Sequence, residues 1–160
     1  MSGAFDLQMS PRGREKGPER FGGDDARGAP GPPDARHVVV GVVAIGRQIG
    51  RRLGFPTANL ALEGAGGAAL GVYVVRVELA DGRRLGGVAN LGGRPTFGDT
   101  APLLEVHLFD FHEDIYGQRL RVTLLRRLRG ARRFASPEAL KRQLAVDVRR
   151  ARALLDAARP

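Results

Sequence analysis

Short alternations of apolar and polar residues occupy the middle of the chain. Apolar Val75 and Val77 flank the polar Arg76, and this period of two predicts a half-buried strand. An Asp-Gly pair at 81–82 predicts a hairpin turn directly after it. A continuous β-branched run near position 40 predicts a further strand that is fully buried. The predicted strands cover residues 37–45, 71–79, 84–91, 103–109 and 119–125.

A helical period follows the strands. Ser136 is a favourable N-cap, Pro137 suits the first helical position, and apolar residues then recur at helical spacing. Five or six short strands at hairpin spacing, followed by one C-terminal α-helix, indicate a mainly β (all-β) fold, because the spacing leaves little room for crossover helices. We expect a small closed or split antiparallel β-barrel with the helix across one opening.

The first 36 residues differ in composition from the rest of the chain. They are rich in Pro, Gly and balanced charge and contain almost no branched aliphatic residues. Such a segment buries too little apolar surface to offset the entropy of ordering. We therefore predict a disordered tail over 1–36 and one barrel domain over 37–160, an ordinary length for a single domain.

The net charge of +9 is concentrated in the C-terminal part. Residues 119–160 contain thirteen basic and three acidic side chains, whereas the two preceding regions are nearly neutral. This excess suits polyanion binding, but arginine-rich composition also reflects a GC-rich genome, which we favour. The chain has no cysteine and no apolar run of membrane-span length. We expect a cytoplasmic protein that binds neither nucleic acid nor membrane.

Candidate chemistry lies in two glycine-rich loops and one strand. The loop over 46–54 combines three glycines with three arginines, which suits close approach to an anion. Thr57 and Asn59 offer neutral oxygens of the kind that Mg²⁺ accepts as ligands. Glu105 lies on the strand face opposite to the aliphatic residues and is a candidate general base. A second polar loop group comprises Asn90, Arg94 and Thr96.

These groups are sufficient for phosphoryl transfer, which needs two positioned reactants, a cation on the phosphates and a base for the attacking hydroxyl. Arg51 and backbone amides are candidates for the phosphate charge. The residues alone leave other interpretations open. Thr57 and Asn59 are typical of a turn, which their spacing alone favours, and a strand glutamate is usually solvated. The sequence contains no P-loop, dinucleotide fingerprint or metal-binding histidine spacing.

Six sequence blocks between His37 and Arg152 carry a resemblance to a known family. They are GRRLGFPTANL at 50–60, GVYVVRV at 71–77, GVANLGGRPTFG at 87–98, LEVHLFDF at 104–111, DIYGQRLRV at 114–122, and the run at 133–140 that enters the helix. Their order and spacing resemble those of riboflavin kinase, including the kinase module of the bacterial riboflavin kinase/FAD synthetase. The resemblance implies a six-stranded antiparallel Greek-key barrel that transfers the γ-phosphate of ATP to the 5′-hydroxyl of riboflavin, giving FMN and ADP.

The resemblance also implies roles for individual residues. It implies that Glu105 is the general base, and that Thr57 and Asn59 hold Mg²⁺ and phosphate. The residues implied to form a first flap over the nucleotide are Gly46, Gly50, Arg51 and Gly54. A second flap over 127–134 and the strand before the second loop are implied to bind the flavin. The flavin-binding residues implied in this way are Asn90, Arg127, Arg129 and Phe134.

Two positions depart from the family pattern. Gly130-Ala131 follows Arg129 where the family usually has an acidic or proline-containing pair, and Arg47 stands where a small acidic or polar residue is common. The residues before the barrel contain no nucleotidyl-transfer histidine motif, so FAD synthesis is not expected. The alternative is a non-catalytic flavin- or nucleotide-binding barrel, and a basic nucleic-acid-binding barrel is a third interpretation. We expect a monomer whose partners are riboflavin or FMN and ATP or ADP.

Overall fold

The computed structural model describes residues 37–46, 49–62, 67–93 and 102–158. The elements formed there are β1 (His37–Ala44), α1 (Ile49–Arg52), β2 (Ala58–Leu62), β3 (Gly71–Glu78), β4 (Arg84–Gly93), β5 (Pro102–Leu108), β6 (Arg119–Arg129) and α2 (Pro137–Ala157). The predicted tail over 1–36 lies outside the described residues. Neither helix in the described part of the chain has the length and apolar character that a membrane crossing requires.

The six strands close into an antiparallel barrel. Their order round the barrel is β1, β2, β5, β4, β3 and β6, and β6 pairs with β1 to close it. The meander of β3, β4 and β5 is followed by β6, which returns to lie beside β3 as in a Greek key. The predicted mainly β Greek-key barrel with a C-terminal helix is therefore confirmed, in its closed form.

Inward-facing aliphatic side chains fill the barrel. The fully buried ones are Leu60, Val75, Val77, Leu91, Leu104, Val106, Leu120 and Val122. Strand β1 contributes Val39 and Val43 to this core, but its Val38 and Val42 are exposed. The expectation that β1 is fully buried is therefore wrong. Helix α2 packs on the outer faces of β3, β4 and β6. It does not cover β1, so the outer face of β1 stays exposed.

Helix α2 packs against the outer wall of the barrel. It begins as predicted, because Ser136 Oγ accepts a hydrogen bond from the Ala139 amide at 3.2 Å and Pro137 is the first helical residue. The cluster beneath it joins Ala151 and Leu155 to the outward-facing Val72, Val74 and Val88 of β3 and β4. The expectation that the helix lies across an opening is wrong, since it covers one side of the wall instead.

Three boundaries differ from the predictions. The four-residue helix α1 lies in the glycine-rich loop, where the sequence predicts no helix. The Gly50 carbonyl accepts a hydrogen bond from the amide of Phe55, which follows the helix, at 2.7 Å. Strand β2 is not among the predicted strands. Strand β6 continues to Arg129, past the predicted end at 125, because it stays paired with β3 through two register shifts.

Candidate active site

Thr57 and Asn59 lie where the chain enters strand β2. Asn59 is a strand residue, opposite Ala44 of β1 and Glu105 of β5, and it is 8% exposed. The interpretation of this segment as a turn is therefore wrong for Asn59. Strands β1 and β5 lie on both sides of β2 and pair with it through backbone hydrogen bonds. Such pairing between strands overrides the local preference of these residues for a turn. The pairing brings a predicted cation ligand next to the predicted base.

Three polar side chains form a row across β2, β5 and β4. Glu105 lies opposite Asn59 on one side and opposite Asn90 on the other. Residues directly opposite one another share a face of the sheet, and Leu104 and Val106 point into the barrel core on the other face. This polar row of Asn59, Glu105 and Asn90 therefore lies on the outer wall, as the alternation in β5 predicts for Glu105.

The polar row is buried. Glu105 is 4% exposed and Asn90 is 5% exposed, so the interpretation of Glu105 as a solvated strand residue is wrong. Within the described residues, the Oδ1 atoms of Asn59 and Asn90 have no hydrogen-bond partner. A buried polar atom without a partner costs free energy and is uncommon in folded proteins. These two oxygens are therefore available to a ligand or an ion.

A small cavity lies between the polar row and α2. Its volume is about 20 Å³, enough for about one water molecule. Apolar side chains from β3, β4 and α2 form much of its wall. The polar side chains that line it are those of Thr57, Asn90, Glu105, His107 and Asp147. Helix α2 thus separates Glu105 from bulk water.

A wider cleft also borders Thr57. Its volume is about 420 Å³, and its lining includes Arg51 of α1, Pro56 and the connection between β5 and β6 at residues 111–116. Thr57 lines both this cleft and the cavity beneath α2. Thr57 is therefore shared by the linings of the two spaces.

Two glycines of the first flap pack directly on the candidate cation ligands. A Cβ atom at Gly46 would overlap the side-chain amide of Asn59. A Cβ atom at Gly50 would clash with backbone and would lie 3.3 Å from the Thr57 side chain. Only glycine allows the flap backbone to approach these side chains so closely.

The other two first-flap residues lie on the exposed side of the same segment. Arg51 is exposed and lines the cleft. Gly54 has a positive φ of 87°, which favours glycine, and it turns the chain from α1 toward Phe55. The structure therefore places all four predicted first-flap residues in one segment beside Thr57 and Asn59.

The predicted flavin-binding residues do not all meet at the cavity. Asn90 lines it. Arg127 donates from Nη2 to a backbone carbonyl just before β3 at 2.6 Å, and Phe134 is buried in a cluster with residues of α2 and of the first flap. Arg129 forms an ion pair with α2. Arg94 and Thr96 of the second polar loop group lie outside the described residues, as does Arg47, one of the two departures from the family pattern.

Two cavity-lining residues, Asp147 and His107, are not among the predicted site residues. Asp147 is 1% exposed although it carries a carboxylate. It lies three residues after Leu144 and four before Ala151, on the apolar face of α2. An acidic residue at helical spacing with buried apolar residues is the sequence pattern that could have indicated a buried carboxylate. His107 lies two residues after Glu105 in β5, and this spacing places both side chains on one strand face.

His107 connects the base-bearing strand to the segment that enters β2. Its Nδ1 lies 2.8 Å from the Pro56 carbonyl oxygen, which identifies Nδ1–H as the donor in the neutral ring. The ring packs edge-on against Phe55 at 5.6 Å and Phe109 at 5.9 Å between centroids. Burial in this apolar setting lowers the pKa of His107 below its ordinary value. The bond holds Pro56, and with it Thr57, against β5.

Protonation of His107 is expected to destabilise the fold. Because its pKa is lower in the folded protein, the unfolded chain takes up the proton first. Stability should therefore be complete above about pH 6.5 and should fall as the pH drops below that value, by at most about 1.4 kcal/mol per pH unit for one proton. Thermal melting between about pH 7.5 and 5.5 measures this loss. His107→Gln should flatten the dependence, whereas the exposed His112→Gln should retain it; an unchanged slope in His107→Gln would assign the loss to other groups.

Comparison with known proteins identifies the family of this barrel. The family model described as riboflavin kinase matches residues 34–155. The chain belongs to the riboflavin kinase family. It is 43% identical over 118 residues to the bifunctional riboflavin kinase/FMN adenylyltransferase of Haemophilus influenzae, with 74% of this chain and 38% of that protein covered. It is 42% identical over 112 residues to the RNA-binding riboflavin kinase RibR of Bacillus subtilis, with 69% and 48% covered.

A solved structure shares the fold of this riboflavin kinase family member. The riboflavin kinase of Trypanosoma brucei superposes with a TM-score of 0.54 and 22% sequence identity, and the match covers 76% of this chain and 80% of that one. The match to the family model and the identity to curated relatives confirm the predicted resemblance to the riboflavin kinase family. This chain spans less than half the length of the two curated relatives.

Proposed function

We propose that the protein transfers the γ-phosphate of ATP to the 5′-hydroxyl of riboflavin, in a Mg²⁺-dependent reaction that gives FMN and ADP. The observation that carries this proposal is the polar row. Glu105 is buried between Asn59 and Asn90, and it lines the cavity, whose lining shares Thr57 with the cleft. Membership of the riboflavin kinase family supports the same pair of substrates.

Glu105 is the general base of the proposed reaction. Its carboxylate accepts the proton of the riboflavin hydroxyl as that oxygen attacks the γ-phosphorus. One oxygen–phosphorus bond forms, the bond to the β-phosphate oxygen breaks, and ADP leaves. Because α2 covers the cavity, bulk water has poor access to the position of the acceptor hydroxyl.

The donor set at the start of β2 fits a magnesium ion. Asn59 Oδ1 is a buried neutral oxygen without a hydrogen-bond partner among the described residues, and Thr57 borders the cleft with its hydroxyl-bearing side chain. Mg²⁺ prefers oxygen ligands and keeps several places for water and phosphate oxygens. Thr57 and Asn59 would hold the ion, which when bound neutralises negative charge on the transferred phosphate.

The first flap and the cleft form the proposed nucleotide site. The cleft of about 420 Å³ is within the usual size range of small-ligand sites. Arg51 presents its guanidinium there for the phosphate oxygens. Gly46 and Gly50 let the flap backbone lie close to Thr57 and Asn59, where its amides can also face the phosphates.

The cavity beneath α2 marks the proposed riboflavin side. Asn90 contributes a free amide oxygen there, and the second-flap residues Arg127, Arg129 and Phe134, which do not line the cavity, are proposed to contact the flavin once it is bound. At about 20 Å³ the cavity is far smaller than the several hundred Å³ of a typical ligand pocket. Riboflavin binding therefore requires α2 or the second flap to move outward, in the manner of lid motions in other enzymes.

Formation of FMN tests the proposal directly. Incubation with riboflavin, ATP and Mg²⁺ should yield FMN and ADP in equal amounts, resolved by chromatography of the flavins and nucleotides. Omission of Mg²⁺, of ATP or of the protein should each abolish the product. Riboflavin binding without FMN formation would instead support the non-catalytic flavin-binding barrel.

The proposed partners are riboflavin or FMN and ATP or ADP, for a monomer in the cytoplasm. RNA binding is part of the name of the Bacillus subtilis relative, of which this chain spans 48%. We propose that the present chain binds no nucleic acid. Among the described residues, Tyr116 is the one large exposed aromatic side chain, and single-stranded nucleic acid is usually held on several stacking aromatics.

A further inference from the structure

A buried ion pair lies beside the cavity. Asp147 of α2 is 1% exposed, and the side chain of its partner Arg129 is 14% exposed. Arg129 donates to the two carboxylate oxygens of Asp147 from Nη2 at 2.8 Å and from Nε at 3.0 and 3.2 Å. Gln143, one helical turn earlier, donates a further bond to the carboxylate at 3.0 Å. The carboxylate is thus fully engaged and cannot rotate freely.

Arg129 also holds the second flap at two places. It is the last residue of β6, and its Nη1 donates to the carbonyl of the next residue, Gly130, at 3.1 Å. Its guanidinium lies over the ring of Phe134, 5.7 Å from the centroid. The pair with Asp147 therefore fixes the beginning of the flap, and the stacking contact fixes its end.

The sequence of the flap makes this anchor important. Residues 127–134 contain four arginines and no acidic residue, and Gly130-Ala131 supplies a flexible link without a side chain that could stiffen it. Asp147, on the helix that faces the flap, supplies the carboxylate that the flap lacks. It also lines the cavity together with Glu105 and Asn90.

Stability alone does not account for a buried ion pair at this place. A well-packed apolar pair of similar volume is usually as stable as a buried ion pair, because desolvation offsets much of the attraction. Leu144 of α2 and Phe134 of the flap are apolar neighbours of the pair, and Gln143 is a polar one, so an apolar pair would suit much of the surroundings. The charged pair is therefore better explained by a role at the site.

We propose that Asp147 is a positioning residue for riboflavin. It acts through Arg129, by holding the guanidinium and the start of the second flap at the edge of the cavity, so that the flap closes over the flavin in one geometry. This inference rests on the proposed kinase function and adds a residue to it. Asp147 does not take part in the chemical step, so its loss should affect riboflavin binding more than turnover.

Arg129→Lys is the first test, because it keeps the charge balance with Asp147 but removes the planar fork and the stacking. We expect the KM for riboflavin to rise at least tenfold, with kcat and the KM for ATP within about twofold of wild type and Tm nearly unchanged. The matched control is Arg152→Lys, which alters a second bidentate pair on α2, with Asp110, that does not line the cavity. It should leave all kinetic constants unchanged.

The double variant Asp147→Leu/Arg129→Met separates positioning from packing. It should melt close to wild type, because no unpaired buried charge remains, and yet show the raised KM for riboflavin. An unchanged KM in Arg129→Lys, or in the folded double variant, would overturn the proposal and leave the pair as a docking contact of α2. Wild-type protein that neither forms FMN nor quenches riboflavin fluorescence would overturn the proposed function and this inference together.

Discussion

Glu105→Gln is expected to lower kcat for FMN formation by a factor of about 10² to 10⁴, the usual contribution of a positioned general base. Glutamine has nearly the size of glutamate, so packing beneath α2 is preserved, but a neutral amide cannot accept the proton of the attacking hydroxyl. The KM values for riboflavin and ATP should change much less, because the base acts in the transition state. Steady-state kinetics with each substrate varied, together with thermal melting, measures both effects.

Glu138→Gln is the matched control for this substitution. Glu138 is an exposed residue in the first turn of α2, and the same chemical change there should leave kcat unchanged. If the Glu105→Gln protein is folded and turns over at the wild-type rate, the proton must go to another acceptor and Glu105 is not the base.

Asn59→Ala is expected to raise the Mg²⁺ concentration needed for half-maximal activity by about tenfold or more. Removal of groups that merely support a metal ligand costs about 10- to 100-fold in affinity, and Asn59 is a proposed direct ligand. Asn90→Ala offers a matched control, because Asn90 has the same side chain, similar burial and the same position opposite Glu105 on the other neighbouring strand. Its loss should raise the KM for riboflavin and leave the Mg²⁺ titration unchanged.

The two asparagine variants distinguish cation binding from support of the sheet. Identical Mg²⁺ titrations for wild type and Asn59→Ala would show that Asn59 does not hold the ion. A similar shift in both variants would point to general loosening around Glu105 instead. Kinetics at a fixed, saturating ATP concentration keep the nucleotide-bound fraction of Mg²⁺ comparable among the three proteins.

The alternating strands could be predicted from the sequence because one face of each is buried in the barrel. The burial of the other face depends on where α2 packs, and this explains why β1 is half-buried despite its continuous apolar run. Strand β2 escaped prediction for a different reason. Proline, threonine and asparagine at 56–59 favour turns locally, and the strand forms only because β1 and β5 lie on both sides of it.

The members of the candidate site could be named from the sequence, but their arrangement could not be derived. The family blocks indicate Asn59, Asn90 and Glu105 separately, whereas the polar row depends on the register of β5 with its chain neighbour β4 and with β2, which lies much earlier in the chain. Asp147 was missed because a charged residue inside an amphipathic helix is usually assigned to the solvated face. Its partner lies on another element, and sequence spacing does not show that contact.

Thr57 lines both the cleft and the cavity, and under the proposed function this shared position means that neither substrate has to bind first. The proposed nucleotide site is the cleft and the proposed riboflavin site is the cavity beneath α2, so each substrate would have its own entrance. Both could then be bound at once, with Thr57 lining the site of each. Under the proposed function, the phosphate then passes directly from donor to acceptor in a ternary complex, and the enzyme need not carry it as a covalent intermediate.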